Sequence, residues 1–356
     1  MKKLIIPFIA LLFVASACKD GYIDELESVA PGTDAEAPHV TVAYPLDGTL
    51  IRVTEDVTPI EIQFTVTDDI EIKDIDVQLN GTSIATFNEF VDFRKAIESF
   101  TYDNLTNGQH TLAVVATDLS GKSTTHTVNF EKVEPYRPIY DGEVFYMPFD
   151  GDNVELVTIR NATRVGSPGF VTAGRVGGAY AGANDSYLTI PTTGLTNPDF
   201  SAVFWYKLNA TPDRGGLLTI SPADASNNLR TSGFRLFREN VGGKQRITLN
   251  VGNGTADVWF NSDAPYHLDP AADEWVHVAF SITNGEAILY INGEVASQGS
   301  FSGISWAGCE VLSIGSGAPN FIEWNHRSDL SNIDELRIFD KVLSQAEIQA
   351  IIDAES

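Results

Sequence analysis

The sequence predicts an all-β protein made of two successive β-sandwich domains, with one short helix at its C-terminal end. Apolar and polar residues alternate over short runs through most of the chain after residue 38, and Gly, Asn and Asp separate these runs. Helical spacing of apolar residues is confined to the last dozen residues. This combination is typical of antiparallel strands joined by tight turns.

Length and composition exclude several classes of protein. The chain has 356 residues, of which 43% are hydrophobic, so it can bury a full core and is not disordered throughout. Its formal net charge of -25 repels DNA, RNA and acidic lipid surfaces. Nucleic acid is therefore excluded as a partner. Neutral glycans fit this charge best, and acidic glycans would need a local arginine cluster or a bound cation.

The N-terminal residues have the features of a signal peptide. Lys2 and Lys3 precede an apolar run over residues 4–14, and small residues lead to Cys18. The run is about half of the ~20 residues that a spanning helix needs. Residues 14–18, Val-Ala-Ser-Ala-Cys, resemble a bacterial lipobox, which implies a signal peptide over 1–17 and an acylated Cys18. The alternative is an ordinary signal, cleaved near Ala17.

Residues 18–37 have the composition of a solvated tether. Lys19 and the acids after it resemble the export signal of surface lipoproteins in glycan-degrading gut bacteria. That resemblance implies a lipid-anchored protein on the outer membrane at the cell surface, where neighbouring outer-membrane glycan-uptake proteins would be partners. Acylation of Cys18 would leave Cys309 unpaired, so no intrachain disulfide is expected.

Residues 38–134 are predicted to form the first sandwich. Ile60, Ile62, Phe64 and Val66 alternate with polar residues, and a hairpin turn is expected at Asn80-Gly81. About a hundred residues of short strands fit an immunoglobulin-like fold. Residues 66–69 and 116–121 resemble those of bacterial Ig-like spacer modules, although no cysteine pair of the antibody type is present.

A proline-containing linker over residues 134–143 separates this domain from the second, predicted over 141–356. Many short strands with Gly, Asn and Asp turns favour a two-sheet jelly roll. The strands are predicted over 144–149, 201–208, 216–220, 233–237, 246–251, 274–282, 287–291 and 312–314. At the C-terminal end, Ser344 and Glu347 form a capping box before an apolar stripe, which predicts a short helix on the sandwich edge.

Four stretches of the second domain together resemble the laminin-G-like jelly roll of the concanavalin A-like superfamily. They are residues 145–151 (FYMPFDG), 200–206 (FSAVFWY), 275–280 with 287–293 (WVHVAF and AILYING), and 333–339 (IDELRIF). The resemblance implies an all-β fold that other proteins use for sugar binding, adhesion or glycoside cleavage. The function must therefore be argued from individual sites.

No catalytic group is predicted. Glucanases on this fold carry acids at alternate positions of one strand, so that two carboxylates face one glycosidic bond. Here Asp334 and Glu335 are adjacent and would point to opposite faces. The sequence also lacks a Gly-x-Ser-x-Gly elbow and a zinc-binding cluster of His or Cys. Carboxylates that converge from separate loops are the remaining route to a hydrolase.

The predicted ligand-binding segment is residues 319–329, because it places aromatic, amide, imidazole and guanidinium groups side by side. The alternative is that its tryptophan plugs the sandwich edge while the polar residues only solvate a loop. Two further tryptophans in loop-like surroundings could extend a stacking platform, and one arginine could reach the ligand. The predicted set is Trp324, Asn325, His326, Arg327, Asp329, Trp306, Trp259 and Arg235.

A structural calcium ion is the one cofactor that the resemblance implies. Asp150 and Asp152 lie in a Gly turn and, with Asp334, would supply hard oxygen ligands. Acidic turns are also ordinary turn chemistry.

These features predict a cell-surface lipoprotein that binds poly- or oligosaccharides without cleaving them. Its acyl anchor and Ig-like spacer would hold the jelly roll away from the membrane. The alternatives are a protein-binding or structural adhesion module and, third, an unrecognised glycoside hydrolase.

Overall fold

The computed structural model describes residues 32–224 and 226–356. The predicted signal peptide and Cys18 lie outside these residues. The described chain divides into two compact units. The first comprises the described residues up to Thr49 with Pro59–Asp103 and Gln109–Phe130, and the second comprises Leu50–Thr58, Asn104–Gly108 and Glu131–Ser356. In these described ranges, no helix has the length and apolar character needed to cross a membrane.

The N-terminal strands confirm the predicted all-β pattern. Ile60, Ile62, Phe64 and Val66 are all buried. Asn80 and Gly81 have φ values of 53° and 78°, as a tight hairpin turn requires. The strands form one sheet in the order β1-β3-β6 and another in the order β2-β8-β7-β4-β5. Their bounds are β1 His39–Tyr44, β2 Leu50–Ile51, β3 Val57–Thr67, β4 Ile72–Leu79, β5 Thr82–Phe87, β6 Lys95–Thr106, β7 Gly108–Asp118 and β8 Ser123–Lys132.

The C-terminal part is a two-sheet sandwich, as predicted. The seven-stranded sheet has the order β12-β15-β24-β17-β18-β19-β20, and the eight-stranded sheet has the order β13-β14-β25-β16-β21-β22-β23 with β9 paired to β25. A short pair, β10-β11, stands apart. The bounds are β9 Glu143–Met147, β10 Val154–Glu155, β11 Arg160–Asn161, β12 Thr163–Val165, β13 Gly169–Val171, β14 Ala179–Ala181, β15 Tyr187–Pro191, β16 Phe200–Lys207, β17 Arg214–Ile220, β18 Phe234–Val241, β19 Lys244–Gly252, β20 Asp257–Asn261, β21 Trp275–Ile282, β22 Asn284–Ile291, β23 Glu294–Ser302, β24 Val311–Ile314 and β25 Asn332–Phe339.

One apolar core fills the space between the two sheets. Alternate residues of β16, such as Phe200 and Phe204, meet alternate residues of β18, such as Phe234 and Leu236. The Phe200 and Phe234 rings lie 5.3 Å apart. Because strand side chains alternate between faces, these inward residues leave the intervening side chains on the outer faces of both sheets.

The C-terminal helix, α1 Gln345–Ala354, begins as predicted. The Ser344 side chain accepts a hydrogen bond from the Glu347 amide, and the Glu347 carboxylate accepts one from the Ser344 amide, which completes the capping box. Its predicted place on the sandwich edge was wrong. Ile348 and Ile351 pack on Val203 and other residues of the central strands, so α1 covers the outer face of the eight-stranded sheet.

A buried charged cluster lies on the same outer face, and it is centred on Arg337. This guanidinium contacts the carboxylates of Glu143, Glu335 and Glu355 at 2.6, 2.7 and 3.1 Å. The Tyr146 hydroxyl also donates to Glu335, at 2.9 Å. Three carboxylates share one cation away from water, so the ionised form is disfavoured. Burial is the main cause that raises the pKa of Glu335 to about 7.

The raised pKa of Glu335 predicts a pH dependence of stability. In the unfolded chain this carboxyl titrates near 4.5, so the folded state holds its proton more tightly. Its contribution to the free energy of unfolding is therefore complete below about pH 4.5 and is lost as the pH rises to about 7. Urea unfolding across this interval should show stability falling with pH, and Glu335→Gln should flatten the decline. An identical slope in both proteins would contradict this assignment.

Candidate functional site

The candidate site lies on the outer face of the seven-stranded sheet. Phe234, Leu236, Leu249 and Phe260 point into the core, so the alternate positions of β18, β19 and β20 point outward. These outward positions pair across the three strands in two rows. One row is Phe237, Thr248 and Asn261, and the other is Arg235, Asn250 and Trp259.

Residues 315–329, here called the Trp324 loop, fold against β17 and are held by backbone hydrogen bonds. The Gly317 amide donates to the His326 carbonyl at 3.0 Å, and the Gly216 amide donates to the Arg327 carbonyl at 2.9 Å. A Cβ on Gly216 would lie 2.0 Å from the Gly317 nitrogen. Glycine at position 216 therefore permits the loop backbone to lie directly against the strand.

Asp329 anchors the end of the Trp324 loop through a buried ion pair. Its carboxylate accepts hydrogen bonds from Arg238 at 2.9 and 3.1 Å and from the Tyr206 hydroxyl at 2.5 Å. Arg238 also donates to Gln245 and to the Pro212 carbonyl. Asp329 is 1% exposed, so its predicted role as a ligand contact was wrong. Because the buried Asp329 carboxylate accepts hydrogen bonds from several donors, it holds the end of the loop in place.

His326 supports the loop from beneath and is fully buried, so its predicted contact with a ligand was also wrong. Its ring lies 4.2 Å from the Phe237 ring and stacks on Phe321 at 5.4 Å. Its Nδ1 donates to the Glu323 carbonyl at 2.7 Å. Its Nε2 lies 3.5 Å from the Glu239 carboxylate. The imidazole therefore connects the loop to β18 instead of facing solvent.

Trp324 stands above His326 in an unusual backbone conformation. Its φ and ψ are 53° and 28°, and the next residue, Asn325, has φ 66°. The left-handed region is unfavourable for a bulky side chain, although asparagine tolerates it. The Trp324 side chain is 49% exposed. A large apolar group that is both strained and exposed is a mark of a functional position.

Trp259 lies beside Trp324, and the two indoles form a platform. Their ring centroids are 6.0 Å apart, and Trp259 is 36% exposed. The Arg230 guanidinium lies 5.6 Å from the Trp324 ring and 5.8 Å from the Trp259 ring, and it pairs with Glu323. Trp259 belongs to β20, so its predicted place in a loop was wrong, whereas its predicted role in a stacking platform stays a prediction.

Beside the platform is an open depression with a volume of about 350 Å³. Its lining is Arg214, Glu239, Arg246, Trp259, Asn261 and Trp324. Glu239 lies opposite Arg214 on one side and opposite Arg246 on the other. The nearby His326 ring, 3.5 Å away, and a hydrogen bond from Arg246 lower the pKa of Glu239 to about 2. Glu239 is therefore ionised at every physiological pH.

A second depression flanks Trp324 on the side of Asn325 and is also lined by Pro212, Asp213 and Arg214. Asn325 and Arg327 are both exposed, which leaves these two predicted contacts available to a ligand. Trp324 therefore forms a wall common to both depressions, and Arg214 lines both as well.

Two predicted contacts do not belong to this surface. Arg235 is fully buried and donates to the carbonyls of Leu229 and Ser232 at 2.5 and 2.6 Å, so it fixes a loop. Trp306 packs on the core, with its ring 5.4 Å from Phe200 and its Nε1 donating to the Asn197 carbonyl. Burial makes the predicted ligand contact of Arg235 wrong, whereas Trp306 is half-buried and its predicted contact stays a prediction.

The predicted calcium ligands do not converge. The buried Asp334 carboxylate accepts backbone hydrogen bonds from Arg175 at 2.6 Å and from Val176 at 3.0 Å. Asp150 accepts the Gly178 amide, and Asp152 accepts the Val154 amide. Across residues 32–224 and 226–356, no three His, Cys, Asp or Glu side chains are grouped so that they could hold a metal ion. These three aspartates bind backbone amides, and the structural calcium ion stays a prediction.

The sequence analysis missed the polar residues beside the platform, Arg214, Glu239 and Arg246. One signal was present, because Glu239 and Arg246 are equally spaced from the Gly242-Gly243 turn and so pair across the hairpin. Nothing in the sequence places Arg214 next to them, since that neighbour comes from the pairing of β17 with β18.

A further hollow, with a volume of about 340 Å³, lies elsewhere on the sandwich. Asp269, Asp273, Glu274 and Glu294 contribute to its lining, and Tyr266 and His267 contribute its aromatic rings. Two of these acids face lysines, with Lys207 3.1 Å from Asp273 and Lys244 3.7 Å from Asp269. This hollow offers far less aromatic surface than the Trp259–Trp324 platform.

Comparison with known protein families assigns both domains. Residues 182–349 match the model described as the concanavalin A-like lectin/glucanases superfamily, and residues 38–114 match that of a bacterial Ig domain. The second domain is a concanavalin A-like lectin/glucanase domain, and the first is a bacterial Ig-like domain. No curated protein matches the chain.

Three solved structures illustrate the likeness of the fold. Domain 4 of the extracellular arabinanase AbnA from Geobacillus stearothermophilus, in complex with arabinotriose, is 19% identical over 59% of this chain and 97% of that one, with a TM-score of 0.46. The binding domain of botulinum neurotoxin DC in complex with SialylT is 16% identical over 61% and 52%, with a TM-score of 0.42. This chain thus spans about half of that toxin domain. A pentraxin from Limulus polyphemus is 15% identical over 44% and 70%, with a TM-score of 0.34.

The Asp329 anchor gives a test of how the site is held. Asp329→Asn leaves Arg238 buried without a compensating charge, so we expect the free energy of unfolding to fall by about 3 kcal/mol. The control is Asp213→Asn on the exposed approach to β17, which should change it by less than about 0.5 kcal/mol. Equal stability of the two variants in urea unfolding would show that the ion pair does not hold the loop.

Proposed function

We propose that the lectin-like domain binds carbohydrate on the Trp259–Trp324 platform and does not cleave it. The observation that carries the proposal is the pair of exposed indoles, 6.0 Å apart, of which one is held in a left-handed backbone conformation. Exposed tryptophans reduce solubility and stability unless they are used, and backbone strain is typical of binding sites.

The chemistry of the surroundings suits a sugar. The apolar C–H face of a pyranose can lie on an indole, while its hydroxyls need paired donors and acceptors at the side. Asn261 and Asn325 are exposed and supply amide groups, and Arg214 supplies a guanidinium. The open shape of the depressions suits a chain that runs across the sheet, because neither end of the polymer has to enter a closed cavity.

The carboxylates support a binding role over a catalytic one. Glycoside cleavage needs an acid that holds a proton near neutral pH. Beside the platform, the pKa of Glu239 is lowered to about 2, so it cannot donate a proton. Burial raises the pKa values of Asp334 and Glu335 to about 7, but both are at most 3% exposed and lie on the other sheet. A polysaccharide cannot reach them.

The platform can be tested by removing one indole. Trp324→Ala should weaken binding of the full chain to its glycan by about 2 kcal/mol, or roughly 30-fold, because stacking and desolvation at a central aromatic are lost. An array of plant and host glycans first identifies a glycan that binds, and calorimetry then measures its affinity. Trp275→Ala, a half-buried indole on the opposite sheet, is the control and should bind as the wild type does.

Three outcomes would contradict the proposal. Equal loss of affinity in both tryptophan variants would indicate general unfolding. No glycan bound by the wild type, together with a specific protein partner sensitive to Trp324→Ala, would favour the adhesion-module alternative. Release of reducing sugar from a polysaccharide would favour a hydrolase.

We also propose that the chain acts at the cell surface, anchored through an acylated Cys18 and extended by the Ig-like domain. The lipobox-like residues 14–18 support this proposal. Cys18→Ser should prevent acylation, so the protein should move from the membrane fraction to the soluble fraction while glycan binding is unchanged. An unchanged membrane fraction, or labelled palmitate incorporated into Cys18→Ser, would contradict the anchor.

A further inference from the structure

In the depression lined by Arg214, Glu239 and Arg246, positive charge exceeds negative charge, whereas Asp213 accompanies Arg214 in the second depression. Arg214, Glu239 and Arg246 occupy directly paired positions on β17, β18 and β19, so the charges run positive, negative, positive across three strands. The Arg246 guanidinium lies 2.8 Å from the Glu239 carboxylate, and that of Arg214 lies 3.9 Å from it. One carboxylate thus serves two guanidinium groups. This surplus is notable in a chain with 48 acidic and 23 basic residues.

Much of the donor capacity of these arginines is not used within the protein. A guanidinium carries five N–H donors. The Arg246 side chain is 31% exposed, donates to Glu239 through Nη2, and lines the same depression as both indoles. Arg214 has a half-exposed side chain and makes only a long contact of 3.5 Å with the Trp324 carbonyl besides its 3.9 Å pairing with Glu239. Each of the two guanidinium groups can therefore bind the carboxylate of a ligand in addition to Glu239.

Neutral hydroxyls would use this arrangement poorly. A hydroxyl takes one donor and leaves the positive surplus uncompensated, whereas a carboxylate accepts two parallel hydrogen bonds from a guanidinium and neutralises its charge. The arginines lie next to the stacking surface. One uronic-acid residue can therefore stack its ring on an indole while the carboxylate attached to its C5 pairs with an arginine. The negative net charge of the protein repels such a ligand. Salt screens this repulsion over about 8 Å, whereas direct pairing with an arginine acts at shorter range.

We propose that the ligand is an acidic glycan, with a uronic-acid carboxylate bound by Arg214, which lines both depressions, and a sugar ring stacked on Trp324. This inference rests on the proposed carbohydrate binding and specifies its substrate class. It reverses the expectation from net charge that neutral glycans fit best, because the local arginine cluster that an acidic glycan requires is present.

The test compares acidic polysaccharides with neutral forms of the same backbones. The probes are polygalacturonate, alginate and hyaluronan, each beside its carboxyl-reduced counterpart, titrated into the full chain by calorimetry. We expect at least one acidic polymer to bind about tenfold or more tightly than its reduced form. Affinity should decrease as NaCl is raised from 50 to 500 mM, since the pairing is ionic.

Substitutions of single charged residues then test which side chain binds the carboxylate of the ligand. Arg214→Gln should weaken binding of the acidic polymer about tenfold or more without changing the melting temperature, and Arg214→Lys should restore part of the loss. Lys207→Gln removes one positive charge from the eight-stranded sheet and is the matched control, which should bind as the wild type does.

The outcomes separate this inference from the proposed function. Binding of reduced or other neutral glycans in preference to acidic ones, lost in Trp324→Ala, would overturn the acidic ligand and leave carbohydrate binding intact. Acidic binding that Arg214→Gln and Lys207→Gln weaken equally would show a general charge effect and overturn the assigned position. Binding to no polysaccharide, acidic or neutral, would overturn both.

Discussion

The buried ion pair between Arg238 and Asp329 fixes the site to the sandwich. Arg238 belongs to β18 of the seven-stranded sheet, and Tyr206, which also donates to Asp329, belongs to β16 of the eight-stranded sheet. One carboxylate therefore ties the end of the Trp324 loop to both layers. Burial of a charge is tolerated only where each polar group finds a partner, so this arrangement allows a single well-defined loop position. The orientations of Trp324 and Asn325 depend on it.

The anchor also explains how a strained tryptophan persists. A bulky residue with positive φ costs about 1–2 kcal/mol, and a free loop would relax to a more favourable conformation. Here Gly317 and Gly216 bind the carbonyls of His326 and Arg327, so the residues that follow the strained pair cannot move independently. Strain of this kind is sustained by the surrounding bonds and keeps the indole turned to solvent. A preorganised ring loses little entropy when a ligand stacks on it.

Local pattern was sufficient to predict most of the fold. Alternation located β16, β19, β21 and β24 to within a few residues, and the capping box located the start of α1. The short strands between residues 154 and 191 were missed, because segments of two to five residues have no clear period. β20 was missed for a related reason. Its five residues, Asp257–Asn261, contain a single inward phenylalanine, so Trp259 resembled a loop residue.

The site was less predictable than the fold, since it depends on contacts between distant parts of the chain. The mixed composition of residues 319–329 correctly drew attention to Trp324, but composition could not separate exposed side chains from buried ones. His326 and Asp329 are the most deeply buried members of that segment's predicted contacts, and they hold the exposed ones in place. Arg235 was misjudged because a charged residue between two inward apolar ones is normally solvated, whereas here a loop covers it.

Placing a binding surface on the outside of a sheet has an electrostatic consequence. The interior between the two sheets is apolar and closed, so it contributes stability and no recognition. The outer face of the seven-stranded sheet is free to carry charge, and strand pairing sets Arg214, Glu239 and Arg246 in one row. Glu239 reduces the repulsion between the two guanidinium groups, because it lies on β18 between the strands that carry them. The Glu239 carboxylate separates the two guanidinium groups and neutralises one of their two positive charges. One positive charge therefore remains on this surface of a strongly acidic protein.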